Sequence, residues 1–131
     1  PHAHVLDSSC GTGQLAVGLA GLGMRVVASD ASAAMVRRTE KLAEEHAASL
    51  RTVRAGWHEL PDHLVDASFD MAFCVGNSLH HAEGASGRLA ALESMSRLLR
   101  PGGRLVLTSR TWRRAGRSST RFRWRLSAGH P

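Results

Sequence analysis

The stretch that decides the fold is Val5-Leu6-Asp7-Ser8-Ser9-Cys10-Gly11-Thr12-Gly13. Its first part is a short apolar run, which predicts a buried strand at His4–Asp7. Its second part is a glycine-rich turn. Residues 14–22 come next with leucines at helical spacing, and Gly23 predicts the end of that helix. A strand, a glycine-rich turn and a helix in this order are typical of the ligand-binding loop of an α/β protein.

Further strands and helices alternate through the rest of the chain. Apolar or β-branched runs predict strands at residues 24–29, 50–55, 69–75 and 104–109. Helices are predicted from a cap at Ser32 to about residue 49, with Met35, Leu42 and Ala43 inward, and at 86–99, where Pro101-Gly102-Gly103 breaks the pattern. Residues 56–68 are expected to form a loop or short helix. The predicted fold class is therefore α/β, a doubly wound and mostly parallel sheet with helices on both faces.

The length and composition fit one domain with a real core. The chain has 131 residues, of which 43% are hydrophobic, and no run of about 18 apolar residues that would predict a membrane span. Two cysteines do not make a disulfide framework, so a reducing, cytoplasmic setting is expected. The chain opens at Pro1 and reaches a strand almost at once, from which we expect a domain truncated at both ends.

The positive charge is confined to the end of the chain. The formal net charge is +6, and residues 113–131 contain six arginines and no acid, so residues 1–112 are balanced. We expect a core at residues 1–112 and an Arg-rich tail at 113–131 that is flexible or forms one edge strand at 120–126. Phe122 and Trp124 alternate with arginines there, as in segments that bind RNA, but a solvated end is the favoured reading.

The first loop fits two cofactors. Gly11, Gly13 and Ala16 satisfy the dinucleotide pattern G-x-G-x-x-G/A, and Asp30 ends the next strand, so an NAD-dependent dehydrogenase is one reading. Asp7, however, would repel a pyrophosphate, whereas it can accept hydrogen bonds from an amino group. S-adenosylmethionine has an ammonium, a carboxylate and a ribose but no phosphate. Asp30 can then accept from the ribose hydroxyls, or it is simply an acid at a helix N-terminus.

Aromatic, histidine and cysteine residues give less information about function. Trp57 follows the third strand, where its flat ring suits an adenine or packs against the core. The histidines lack the spacing of a metal site. Cys10 and Cys74 are expected to be small buried residues at strand ends.

Five segments resemble the class I S-adenosylmethionine-dependent methyltransferases, whose fold is Rossmann-like. They are VLDSSCGTG (5–13), VVASDASAAM (26–35), AGWHEL (55–60), FDMAFCVGNSLHH (69–81) and LLRPGGRLVLTSRTW (98–112). Gly-Asn-Ser followed by His81, and the later Ser-Arg-x-Trp, resemble the glycine and sarcosine N-methyltransferase group. The resemblance implies S-adenosylmethionine as cofactor and a small-molecule acceptor, such as the amine of an amino acid.

The resemblance also implies roles for single residues. Ser9, Gly11 and Gly13 would line the methionine part of the cofactor, Asp30 would hold the ribose, and Gly56, Trp57 and Val75 would flank the adenine and the sulfonium. Asn77 and Arg110 would hold the carboxylate of the acceptor, with His81 nearby, although Arg110 is otherwise a surface arginine and His81 a solvated one. The lid helices and final hairpin of the family are not recognisable, which leaves a non-catalytic domain as an alternative.

Overall fold

The computed structural model describes residues 2–76 and 78–108. The strands are His4–Asp7 (β1), Arg25–Asp30 (β2), Arg51–Arg54 (β3), Phe69–Cys74 (β4) and Leu99–Leu107 (β5). The helices are Gln14–Gly21 (α1), Ala33–Glu45 (α2), Leu60–His63 (α3) and Gly84–Leu98 (α4), with 3₁₀ turns at Trp57–Glu59 and Ser78–His81. The predicted sites Asn77 and Arg110, the last residue of the predicted strand 104–109, and the tail at 113–131 with its edge strand lie outside the described residues, so the division at residue 112 stays a prediction.

The five strands form one parallel sheet in the order β3-β2-β1-β4-β5. The chain therefore builds outward from β1 in one direction and then returns to its other side, which confirms the predicted doubly wound α/β fold. Val5 and Leu6 of β1 are fully buried because this strand is central and covered on both faces. Among the described residues, no helix is both long and apolar enough to cross a membrane.

The two faces of the sheet carry separate apolar cores. On one face, Val26 and Ala28 of β2 pack with Ala16 of α1. On the other, Leu6 and Val27 pack with residues of α3 and α4, among them Leu60 and Leu98. Since successive side chains of a strand point to opposite faces, the unbroken apolar runs of β1 and β2 supply both cores.

Two details of the predicted helices are wrong. Leu22 was expected to continue the apolar spacing of α1, but this helix ends at Gly21 and Leu22 is 77% exposed. The buried face of α1 is instead formed by Ala16 and Val17. Ala16 packs there against Cys10 of the first loop and against Val26 and Ala28 of β2.

Helix α2 ends at Glu45, four residues before its predicted end, and Ala43 is buried as predicted. Its buried residues are Val36, Thr39 and Ala43, whereas Met35 and Leu42 are only half-buried. The backbone N–H of Ala48 donates to Ala43 O (2.8 Å) and that of Ala47 to Glu44 O (3.1 Å). These are the two bonds of a Schellman motif, whose usual glycine is replaced by Ala47 at φ 51°. Without that glycine, the sequence carries no stop signal.

The Pro101-Gly102-Gly103 segment ends α4 as predicted, but it lies inside β5 rather than before it. Leu99 pairs with Phe69 and Arg104 with Met71, so the residues between them bulge out of the ladder. A Cβ atom at Gly103 would lie 2.9 Å from the carbonyl oxygen of Arg100 and 3.2 Å from that of Phe69. Glycine is required there because the bulged backbone folds back on itself.

We predict that Ala47→Gly stabilises the domain. A left-handed backbone strains an alanine, and relief of that strain exceeds the extra entropy of an unfolded glycine, for a net gain of about 0.5–1 kcal/mol in the free energy of unfolding. Urea unfolding followed by circular dichroism measures it. The control is Ala34→Gly on the exposed side of α2, which should lose about 1 kcal/mol. Loss of stability in both variants would contradict the Schellman assignment.

Candidate active site

The loop at residues 8–13 lies at the carboxyl edge of the sheet, beside the point where the strand order reverses between β1 and β4. It is attached to both neighbours of β1. The backbone N–H of Ser8 donates to Phe73 O of β4 (2.9 Å), and that of Cys10 donates to Ser29 O of β2 (2.9 Å). In open α/β sheets, this crevice is where ligands bind.

The two glycines of the loop have different roles. Gly13 is buried, with φ 92°, and a Cβ atom there would lie 2.8 Å from both the Cα and the Oγ1 of Thr39. It is therefore required for the contact between the loop and α2. Gly11, at φ 54°, has open space where its Cβ would be, so a ligand can approach the main chain there.

Thr39 is a residue of this site that the sequence reasoning missed. It is fully buried, and its hydroxyl donates to the carbonyl oxygen of Gly11 (3.0 Å) and lies 3.3 Å from Cys10 Sγ. The hydroxyl thus attaches the loop to α2. Its position three residues after Val36 and four before Ala43 is the helical spacing that could have revealed it.

Asp7 ends β1 with a carboxylate that is 1% exposed, and neither of its oxygens accepts a hydrogen bond from the described residues. Burial raises the pKa of this carboxyl to about 6, the nearby backbone N–H of Ser9 opposes the rise, and the charge of Asp30 adds to it. A buried carboxylate without a partner is costly to the fold. It is therefore a group prepared to accept hydrogen bonds from a cationic ligand.

Asp30 ends β2 and is oriented by the loop. One oxygen of its carboxylate accepts from the backbone N–H of Gly11 (3.0 Å), and the other accepts from that of Ser32 (2.9 Å). Each oxygen keeps a further lone pair, so the carboxylate is fixed in direction and can still accept from two adjacent hydroxyls. Ser32 caps α2 as predicted, accepting from the backbone N–H of Met35 (3.3 Å).

Trp57 is tied to the first loop through Ser8, a second residue that the sequence reasoning missed. Its Nε1–H donates to Ser8 Oγ (3.2 Å). The Ser8 hydroxyl in turn donates to the carbonyl oxygen of Phe73 (2.8 Å). The half-buried indole also packs against both apolar clusters on the α3–α4 face. Because the indole packs against the core and is still partly exposed, it is available both for core packing and for contact with an adenine. The visible signal for Ser8 was a polar residue directly after a buried strand.

The remaining predicted residues are placed as follows. Ser9 Oγ lies 4.0 Å from Cys74 Sγ, at the ends of β1 and β4. Val75 follows β4 and is half-buried, Gly56 precedes Trp57 with an ordinary φ of −73°, and His81 ends the second 3₁₀ turn and is exposed. Hydrogen bonds of the loop thus connect Gly11 to Asp30 and Ser8 to Trp57, and among the described residues none connects the loop to His81.

The ends of β4 and β5 are joined. The backbone N–H of Gly76 donates to Thr108 Oγ1 (2.8 Å), and that of Thr108 donates to Cys74 O (3.2 Å). Gly76 directly precedes Asn77, and Thr108 stands two residues before Arg110.

Cys10 and Cys74 are buried and free, as predicted. Burial raises the pKa of both thiols, that of Cys10 to about 11. A thiol in this state is a poor nucleophile at neutral pH. The residues in the described part of the chain contain no group of three histidines, cysteines or acids that could hold a metal ion.

Comparisons with known proteins agree with this geometry. The family model "Methyltransferase domain" matches residues 5–103. The chain is 32% identical over 108 residues to the glycine/sarcosine N-methyltransferase of Halorhodospira halochloris, covering 82% of this chain and 40% of that protein. It is 35% identical over 103 residues to the cypemycin N-terminal methyltransferase of a Streptomyces species, covering 79% and 40%.

A solved structure shows the same fold. The CcbJ methyltransferase of Streptomyces caelestis superposes with a TM-score of 0.75 at 25% identity, over 82% of this chain and 43% of that one. The chain spans about two fifths of the length of the curated relatives that it matches. With a parallel sheet reversing at β1, a glycine loop fitted to α2 and acids ending β1 and β2, the chain belongs to the class I S-adenosylmethionine-dependent methyltransferases.

Proposed function

We propose that this domain binds S-adenosylmethionine and directs its methyl group to a small molecule, with the amine of an amino acid such as glycine or sarcosine as the acceptor. The observation that carries the proposal is Asp7 at the end of the central strand, a buried carboxylate that accepts no hydrogen bond from residues 2–76 or 78–108. The choice of acceptor is supported by the similarity of the chain to a glycine/sarcosine N-methyltransferase. Two free cysteines fit a cytoplasmic setting.

The residues present fit this cofactor. Asp7 would accept from the ammonium of its methionine part, Ser9 and the open main chain at Gly11 would lie beside that part, and Asp30 would hold the ribose. Gly56, Trp57 and Val75 would flank the adenine and the sulfonium. Gly13 contributes indirectly, because it lets the loop rest on Thr39.

The same carboxylates disfavour a dinucleotide. A pyrophosphate at the first loop would meet the charge of Asp7 at close range in a buried site, where like charges repel strongly. An ammonium would instead supply the hydrogen bonds that Asp7 lacks. The NAD reading of the glycine pattern is therefore the weaker one.

Little side-chain chemistry is needed for the transfer itself. A methyl group on a sulfonium is already activated, so the protein must hold a neutral amine in line with it, and such positioning contributes roughly 7–11 kcal/mol. We assign this role to Arg110 and Asn77, with a bidentate pair between the guanidinium and the acceptor's carboxylate. The hydrogen bond between Gly76, one residue before Asn77, and Thr108, two residues before Arg110, supports the assignment. His81 stays a candidate for contact with the acceptor.

We predict that Asp7→Asn weakens S-adenosylmethionine binding by about 10–100-fold, because a charge-assisted hydrogen bond to the ammonium is lost. Isothermal titration of the full chain with S-adenosylmethionine and with NAD provides the measurement. Asp62→Asn makes the same chemical change at an exposed position of α3 and should leave the affinity unchanged. Binding of NAD alone would overturn the proposal, and so would unchanged affinity in Asp7→Asn.

We also expect the affinity to fall in acid. Since the pKa of Asp7 is about 6 in the free protein, its carboxylate is ionised above that pH and protonated below it. The ammonium needs the ionised form, so affinity should be full near pH 7.5 and about tenfold lower at pH 5. Titrations at half-unit steps should show this decline in the wild type and a flat profile in Asp7→Asn. Identical profiles for the two proteins would contradict the role of Asp7.

For the acceptor, we predict that Arg110→Gln raises the KM for glycine or sarcosine by about 10–100-fold with a smaller effect on kcat, because the carboxylate loses a charge-assisted pair. The readout is formation of S-adenosylhomocysteine across a panel of small amines with and without a carboxylate. Arg113→Gln removes the same charge three residues away and should not change KM. Equal effects of both variants would refute the clamp.

The same panel tests the second candidate, a domain that binds the cofactor without turnover. Binding of S-adenosylmethionine without S-adenosylhomocysteine formation from any amine would favour it.

A further inference from the structure

A second cavity lies at the opposite edge of the sheet from Asp7 and Asp30. It has a volume of about 800 Å³ and is lined by the first residues of three neighbouring strands, His4 of β1, Arg25 of β2 and Arg51 of β3. Parallel strands begin at one edge and end at the other, so this cavity is separate from the cofactor crevice. Nothing in the methyl-transfer chemistry uses it.

The charges around this cavity are of one sign. Arg25, Arg51 and Arg100 line it, and no acidic residue does. Arg100 is neutralised by Asp70, 3.1 Å away. Within residues 2–76 and 78–108, no carboxylate lies within 4.0 Å of the guanidinium of Arg25 or Arg51. Two cations without a carboxylate partner thus stand at the rim of a concave site.

The two arginines project from the same face. Val27 is the register partner of Arg51, and Arg25 precedes Val27 by two residues, so the three side chains point to one side of the sheet. The Cα atoms of Arg25 and Arg51 are then about 8 Å apart, from the strand spacing and rise. Long guanidinium side chains at that separation can converge on a single anion.

The floor of the cavity is apolar. Val27, Leu64 and Phe69 contribute to it, and the His4 ring stacks on Phe69 with ring centroids 4.2 Å apart and an interplanar angle of 24°. The His4 ring is held by a bond of 2.8 Å between Nδ1 and the carbonyl oxygen of Ser68. Accessible apolar surface at the cavity is supplied by Val65, which is 75% exposed, and by the half-buried Leu50.

We propose that this cavity binds an organic anion, whose phosphate or carboxylate group is held by Arg25 and Arg51 and whose apolar or aromatic body lies against Leu50 and Val65. A concave site with an apolar floor and a few converging polar groups suits a small molecule. A nucleic acid would instead require an extended basic surface, and residues 1–112 are balanced in charge. The proposal does not depend on the methyltransferase activity.

The test is titration of the full ¹⁵N-labelled chain with phenyl phosphate and, separately, inorganic phosphate. Phenyl phosphate should shift the backbone amides of His4, Arg25, Arg51 and Ser68, and should bind about tenfold more tightly than inorganic phosphate because its ring is buried. Saturating S-adenosylmethionine should not displace it.

The variant Arg25→Gln/Arg51→Gln should weaken phenyl phosphate binding at least tenfold. Its matched control is Arg37→Gln/Arg38→Gln, which removes the same two charges from the exposed side of α2 and should bind like the wild type. Circular dichroism verifies that both variants are folded. Equal weakening in both pairs, shifts confined to the tail or to the loop at residues 8–13, or equal affinity for the two phosphates would each overturn the proposal.

Discussion

The structure depends on the pairing of β1 along both of its edges. Val5 and Leu6 are fully buried because β2 lies on one side, β4 on the other and helices on both faces. The loop that follows must leave the sheet between two strands, and hydrogen bonds to Phe73 and Ser29 attach it to both. The crevice, the orientation of Asp30 and the packing of Gly13 on Thr39 all follow from that constraint.

Asp7 is the place where this arrangement costs stability. Raising the pKa of its carboxyl from 3.8 to about 6 means that the folded state disfavours the charged form by about 3 kcal/mol. The penalty is absent below pH 3.8, grows as the pH rises, and is complete above pH 6. A ligand ammonium that pairs with this carboxylate would recover part of that free energy. The position therefore favours the binding of a cation. Such unsatisfied groups are found at functional sites more often than in structural cores.

The two edges of the sheet differ in electrostatic character for a topological reason. At the carboxyl edge, Asp7 and Asp30 end adjacent strands, whereas at the amino edge Arg25 and Arg51 begin adjacent strands. Because the strands are parallel, residues of like charge at equivalent strand positions gather at one edge. The carboxyl edge thus carries Asp7 and Asp30, with Arg54 at the end of β3, and the amino edge carries the cavity with Arg25 and Arg51.

Most of the fold and part of the site could be predicted from the sequence. The alternation of strands and helices, the loop glycines and the acids at the ends of β1 and β2 follow from local patterns, because apolar runs, glycine turns and strand ends are local signals. The early end of α2 could not be predicted, since Ala47 adopts a left-handed conformation that its identity does not favour. Helical spacing with Val36 and Ala43 indicates that Thr39 is buried, but not that its hydroxyl contacts the loop, since that contact joins two separate elements.

By itself, then, the sequence determined the parallel α/β architecture, the family and the glycine loop with its two acids. The tertiary structure alone decided that Asp7 is buried with no hydrogen-bond partner among the described residues and that Gly13 contacts Thr39 while Gly11 stays open. It also decided that Ser8 accepts from Trp57 and that Arg25 and Arg51 share a cavity. The physical reason is distance along the chain. Each of these features joins residues from different elements, and their burial and contacts exist only after the sheet and helices have packed.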